Sequence, residues 1–122
     1  MNIEKIQSGD VAIAVITGDE EVITDVSSAM DLMLTARYET GADRLVIDKR
    51  AVCDEFFILS TGLAGEILQK FINYHVKAAF YGDYTHYTSK PLKDFIYESN
   101  QGKDFFFTAT KEEAIEALAG AK

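Results

Sequence analysis

Two short stretches hold the residue types from which this chain could build chemistry. The first is FILSTGLAGEILQKF, residues 57–71, where Ser60, Thr61 and Gly62 stand between an apolar run and the start of a helical pattern. A serine so placed can be a nucleophile, a phosphate acceptor, an anion-binding group or a helix cap. The unpaired N–H groups and dipole of a helix N-terminus favour negative charge, so Ser60, Thr61 and Gly62 form a candidate phosphorylation or anion site. As a cap alone, Ser60 would contribute about 1 kcal/mol. Nucleophilic catalysis needs a base held by a third group, and ILSTG lacks the first glycine of a G-x-S-x-G elbow. A base could come from His86, oriented by Asp48 or Asp83, only if the fold joins them. No catalytic set is written in the spacing, and the expectation leans away from an enzyme.

The second stretch is GDYTHYTSK, residues 82–90. It packs Asp83, Tyr84, His86, Tyr87, Ser89 and Lys90 into one loop between an expected strand and an expected helix. Open α/β sheets bind ligands beyond the carboxyl ends of their strands. Asp48, the last residue of the strand RLVID, and Lys49 just after it should open on the same edge. Together these residues form a candidate ligand or partner edge; the plainer alternative is a polar surface loop with Ser89 capping a helix. Tyr97, Glu98 and Asn100 form a third, weaker candidate on the outside or rim of their helix. Cys53, beside Asp54 and Glu55, reads as a buried and inert thiol, and His75 as the end of a helix.

The elements that must position these residues follow from periodicity. NIEKIQ and DVAIAVIT flank Ser8–Gly9–Asp10 and read as a β-hairpin. A very short strand is possible at Val22–Ile23. Val26, Met30, Met33 and Leu34 recur at helical spacing behind Asp25 and Ser27, and Gly41 is a plausible stop. Residues 44–48 form a buried central strand. Residues 51–59 read as either a helical turn or a short strand. The helix after Ser60 sets Leu63, Ile67 and Phe71 in one row and Ala64, Leu68 and Ile72 in the next. A strand at 76–82 follows, then a helix from Ser89 to Gly102 with Pro91 in its first turn and Leu92, Phe95, Ile96 and Ser99 facing inward. DFFFTA is a strand, and Thr110 with Glu113 makes the capping box of a last helix. Alternating strands and helices imply a single α/β domain over 1–122, a mostly parallel central sheet with an N-terminal antiparallel hairpin and about four helices.

Composition narrows the partners. The 122 residues are 48% hydrophobic, with 20 acidic against 12 basic residues and a net charge of −8. Dispersed negative charge disfavours phosphate backbones and anionic lipid surfaces, so neither nucleic acid nor membrane is an expected partner. One cysteine and two histidines predict no metal, no disulfide and no cofactor. No apolar run approaches the length of a membrane span, which makes a cytoplasmic protein the expectation. A homodimer through FFF or the hairpin edge is possible.

Two resemblances add to this reading. RLVIDKRAVCDEFFILSTGLAGEIL resembles the strand-to-helix segment of STAS-type anti-sigma-factor antagonists, where a Ser-Ser/Thr-Gly-Leu turn opens a helix and its first hydroxyl is phosphorylated. That likeness implies a STAS-like fold, a protein partner and modification at Ser60, with Leu59 standing where the antagonists carry Asp. TGLAGEILQKF, YTSKPLKDFIYESN and the FF before the last helix are similar to a bacterial family of unknown function, which implies a small cytoplasmic α/β domain. The function expected is a regulatory or protein-interaction module switched at Ser60; the alternative is a small-ligand binder or weak serine hydrolase at the carboxyl edge.

Overall fold

The computed structural model describes residues 1–121. Strands β1 (Asn2–Ser8) and β2 (Val11–Thr17) form the antiparallel hairpin, turning at Gly9, whose φ of 61° suits a residue without a Cβ. Helix α1 (Val26–Thr40), β3 (Arg44–Asp48), α2 (Leu63–Asn73), β4 (Lys77–Tyr81), α3 (Lys90–Gln101), β5 (Phe105–Thr108) and α4 (Lys111–Gly120) follow. The five strands lie in sequence order, and every neighbour pair after the hairpin is parallel. This is the α/β architecture that the periodicity implies. No helix among the described residues is long and apolar enough to cross a membrane.

Period-2 alternation divides the sheet into two cores. Ala14, Ile16, Leu45, Ile47, Ala78, Phe80, Phe105 and Phe107 face one side, where α1, α2 and Leu92 of α3 pack. Ile13, Val15, Val46 and Ala79 face the other, where Ala114 and Leu118 of α4 pack. Parallel crossovers of one hand between successive neighbours put their helices on one face, which accounts for α1, α2 and α3 lying together. Helix α4, which follows β5, packs over the opposite face. Its carboxyl end is held there by Arg44, whose guanidinium donates to the carbonyls of Leu118 and, at 2.9 Å, of Ala121.

Local chemistry sets the helix ends. Asp25 caps α1 in a reciprocal box with Ser28, and Gly41 at φ 74° closes it. Ser89 caps α3, and Thr110 and Glu113 open α4. His75, with φ 60°, ends α2 in the left-handed conformation more often taken by glycine.

Several expectations are corrected. Leu34 is exposed, and the buried row of α1 is Ala29, Leu32, Met33 and Ala36. Ile72 is also exposed, because the apolar stripe of α2 is wider than its contact with the sheet and α1. Val22–Ile23 forms no strand; Ile23 makes one bridge to Val52. Of the two readings of residues 51–59, the helical turn is the one found, in 3-10 form. Together with their flanks they run through three 3-10 turns, Lys49–Ala51, Asp54–Phe57 and Leu59–Thr61, that bury Phe56 and Phe57. Packing of two adjacent large rings decides this segment, and neither ideal period buries both.

Candidate functional site

The loops after β4 and β5 leave the sheet toward opposite faces, since α3 lies on one side and α4 on the other. A crevice opens where two such neighbouring loops diverge. A cavity of about 840 Å³ is found there, at the carboxyl ends of β3, β4 and β5. Its walls are Asp48 to Arg50, Tyr81 to His86, and Thr108 with Ala109, while Ile96 and Phe107 supply an apolar lining. That volume suits a small organic molecule.

Asp48 is only 5% exposed and sits at the end of β3. Its Oδ1 accepts from the Arg50 backbone N–H at 2.9 Å, and its Oδ2 accepts from the Arg50 guanidinium at 2.9 Å. The Tyr81 hydroxyl approaches Oδ2 more loosely, at 3.4 Å. Burial alone would push the Asp48 carboxyl up; the Arg50 hydrogen bonds and charge outweigh it and hold the carboxyl below its ordinary value. Burial, then the Asp48 charge, pushes the Tyr81 phenol up. A carboxyl whose folded pKa lies below its unfolded value stabilises the fold above the unfolded value, near pH 4, and this contribution fades as pH falls through the folded one. Asp48→Asn is accordingly expected to narrow the fall in thermal midpoint between pH 6 and pH 3. An unchanged acid limb would show that the pair with Arg50 is not coupled to folding.

Lys49 takes a different environment. Its Nζ lies 5.2 Å from the centroid of Phe57, 5.9 Å from Tyr84 and 4.8 Å from Tyr87. The three rings hold the ammonium by cation–π attraction. Gly82 permits this placement: a Cβ there would fall 2.7 Å from the Cβ of Lys49. Tyr84 is anchored from below, its hydroxyl donating to the Phe80 carbonyl at 3.0 Å, and burial pushes its phenol far up. Asp83 is held by Thr85, whose backbone N–H and hydroxyl both donate to Oδ1, and these bonds keep its carboxyl below its ordinary value.

A second, smaller groove of about 360 Å³ adjoins the first, with His86 lining both. Ser60 lies on its wall together with Tyr87, Thr88 and Ser89. Ser60 is exposed within the Leu59–Thr61 turn and is not the cap of α2, as one reading of the sequence had it. That position belongs to Gly62 at φ 78°. Thr61 does the local work: its hydroxyl donates to the carbonyls of Ile58 and Glu55 and accepts from the Leu63 N–H at 3.2 Å. Ser60 and His86 therefore share a groove but no hydrogen bond joins them, and the His86 ring packs on Tyr87 with centroids 4.3 Å apart.

The structure thus gathers Asp48, Lys49, Asp83, Tyr84 and His86 around one cavity and Ser60, His86, Tyr87 and Ser89 around its neighbour. Lys90 is not among either set; it turns along α3 to pair with Asp94 at 2.6 Å. Sequence reasoning missed Phe57, Ile96 and Phe107, because apolar site residues read as core. Asn100, placed outside or at a rim by helical spacing, is exposed there and binds the outer edge of β5. It donates to the Phe107 carbonyl at 3.1 Å and accepts from the Phe107 N–H at 2.7 Å. Cys53 is buried. No group of three or more His, Cys, Asp or Glu among the described residues is placed to hold a metal ion.

Residues 8–118 match a domain of unknown function, DUF4180. The chain belongs to this family. The membership agrees with the resemblance carried by the TGLAGEILQKF and YTSKPLKDFIYESN motifs. No curated protein matches the DUF4180 chain. A solved structure similar to it is that of a candidate anti-sigma factor antagonist from Thermotoga maritima, 15% identical, with a TM-score of 0.46 over 95% of this chain and 93% of that one.

Proposed function

We propose that this domain is a non-enzymatic regulatory module that docks a protein partner on the carboxyl edge of its sheet, with Ser60 as the switch. The observation that carries the reading is the pairing of exposed Ser60 with Ile58, a large apolar residue that is 52% exposed two positions before it. An apolar anchor beside a modifiable hydroxyl, above a groove, is the chemistry of a switchable contact. Phosphorylation would add about −1.5 to −2 charge at that contact.

The test is photo-crosslinking in the native host, with a photoreactive residue replacing Ile58 and a control replacing Tyr38 on α1. The expected result is one stoichiometric partner captured from position 58 and not from position 38, with capture reduced about tenfold by Ser60→Glu and retained by Ser60→Ala. Equal capture by both Ser60 variants would remove the switch. Capture from neither position would remove the docking reading.

A second reading, binding of a small ligand, is favoured by the 840 Å³ crevice. Serine hydrolysis has less support, since neither a base bonded to Ser60 nor a carboxylate bonded to His86 accompanies the shared groove.

A further inference from the structure

Lys49 is the feature of the crevice that the fold goes furthest to fix. Gly82 gives up its side chain to let the lysine stem cross the end of β4, and Phe57, Tyr84 and Tyr87 surround the ammonium. In a chain with 20 acidic residues, Lys49 nevertheless makes no ion pair or hydrogen bond to any carboxylate or carbonyl among the described residues. Of the carboxylates lining the crevice, Asp48 is paired with Arg50, and Asp83, hydrogen-bonded by Thr85, meets the Lys49 charge through space without a hydrogen bond to it. Aromatic faces attract the charge of an ammonium but accept none of its three hydrogen bonds in the way an oxygen does. A positioned cation with unspent donors, partly withdrawn from water, is a seat for an anion. Ile96, Phe107 and the Tyr84 ring form an apolar wall in the same crevice.

We propose that the crevice binds a small apolar carboxylate, with its carboxylate group on the Lys49 ammonium and its apolar body against Ile96, Phe107 and Tyr84. The inference rests on reading the carboxyl edge as the binding face of the domain, and it adds the class of small molecule that occupies it. The cation supplies orientation and the wall supplies the buried area, so neither a bare anion nor a neutral apolar molecule satisfies both.

The test is a titration of the full isotope-labelled chain, followed by amide resonances, with three probes: sodium 2-naphthoate, its neutral counterpart 2-naphthalenemethanol, and inorganic phosphate. The expected result is saturable shifts for naphthoate at Lys49, Gly82, Tyr84 and Thr108, with a Kd of about 1 mM or tighter for a ligand of that size. The alcohol should bind at least about tenfold more weakly, as loss of a charged partner implies. Phosphate should give no saturable shift at these amides. Lys49→Met keeps the stem and removes the charge, and should bring naphthoate down to the affinity of the alcohol.

Equal affinity for naphthoate and alcohol in the unsubstituted chain would overturn the proposal without recourse to any variant. Unchanged naphthoate binding in Lys49→Met, or no saturable shift at the crevice, would overturn it as well. Failure here with the position-58 cross-link intact would remove the carboxylate and leave the docking face standing. The reverse pattern would leave a ligand site without a partner.

Discussion

Phe80→Ala is expected to lower the unfolding free energy by about 3–5 kcal/mol, a large share of the roughly 5–15 kcal/mol that holds a domain of this size folded. Phe80 is fully buried on β4, between β3 and the edge strand β5. Its ring lies 5.2 Å from Phe56 and stacks at 5.3 Å on Phe107. Removing it takes away the layer between the 3-10 segment and β5, and its same-face neighbours along the chain, Ala78 and Gly82, have no bulk to refill the space. The effect should extend to the candidate site. Phe56 and Phe57 meet edge to face, with centroids 5.0 Å apart, and Phe57 is one of the three rings around Lys49. Chemical denaturation monitored by circular dichroism would measure the loss; a change below about 1 kcal/mol would show that the cluster repacks without Phe80.

Asn100→Ala is expected to be the most damaging substitution at an exposed polar position, at about 1–3 kcal/mol. The Asn100 amide replaces a missing sixth strand for one residue: it satisfies both the N–H and the C=O of Phe107, a buried residue on the outermost strand. Alanine leaves both groups unpaired, and an edge strand with free backbone groups recruits other chains. Asn100→Ala should therefore also show concentration-dependent self-association by light scattering. Asn100→Asp, which keeps an acceptor for the Phe107 N–H but loses the donor, should fall between the two. Stability and monodispersity both unchanged in Asn100→Ala would mean that water serves that edge equally well. In the unsubstituted chain the opposite edge, along β1, has no such cover in the sheet order, so the hairpin is the better surface for any homodimer.

The charge pattern separates what the edge residues do. Arg50 is used internally, holding Asp48 at the end of β3; Lys90 is used on its own helix. Lys49, between them in role, is neither paired nor free in solvent. Three basic residues that look alike in sequence thus take three different environments, two on the edge and one along α3.

The amino-acid sequence by itself determined the order and type of the main elements. The strands are short β-branched or aromatic runs and the helices are long amphipathic patterns, and both signals are local. Ser89 and Thr110 as caps, and Gly41 as a stop, were legible for the same reason: a cap is settled within four residues. The parallel sheet and its N-terminal hairpin followed from element order and connection rules. That Asp48, Lys49 and the 82–90 loop would share an edge also followed, because residues just after parallel strands emerge on one side.

Only the tertiary structure decided the rest. Residues 49–61 became three 3-10 turns because Phe56 and Phe57 are both drawn into the core, a demand no local period expresses. Ser60 lost the cap of α2 to Gly62 because the preceding turn, tied down by Thr61, ends in a left-handed residue. The crevice exists because α3 and α4 pack on opposite faces, a choice made by the area left uncovered behind the sheet. The ring cage around Lys49 joins residues 49, 57, 84 and 87, contributed by two separate connections, β3 to α2 and β4 to α3. Local propensity is carried by neighbours in the chain, whereas a binding site is made by neighbours in space, and the packing of whole layers determines which residues those are.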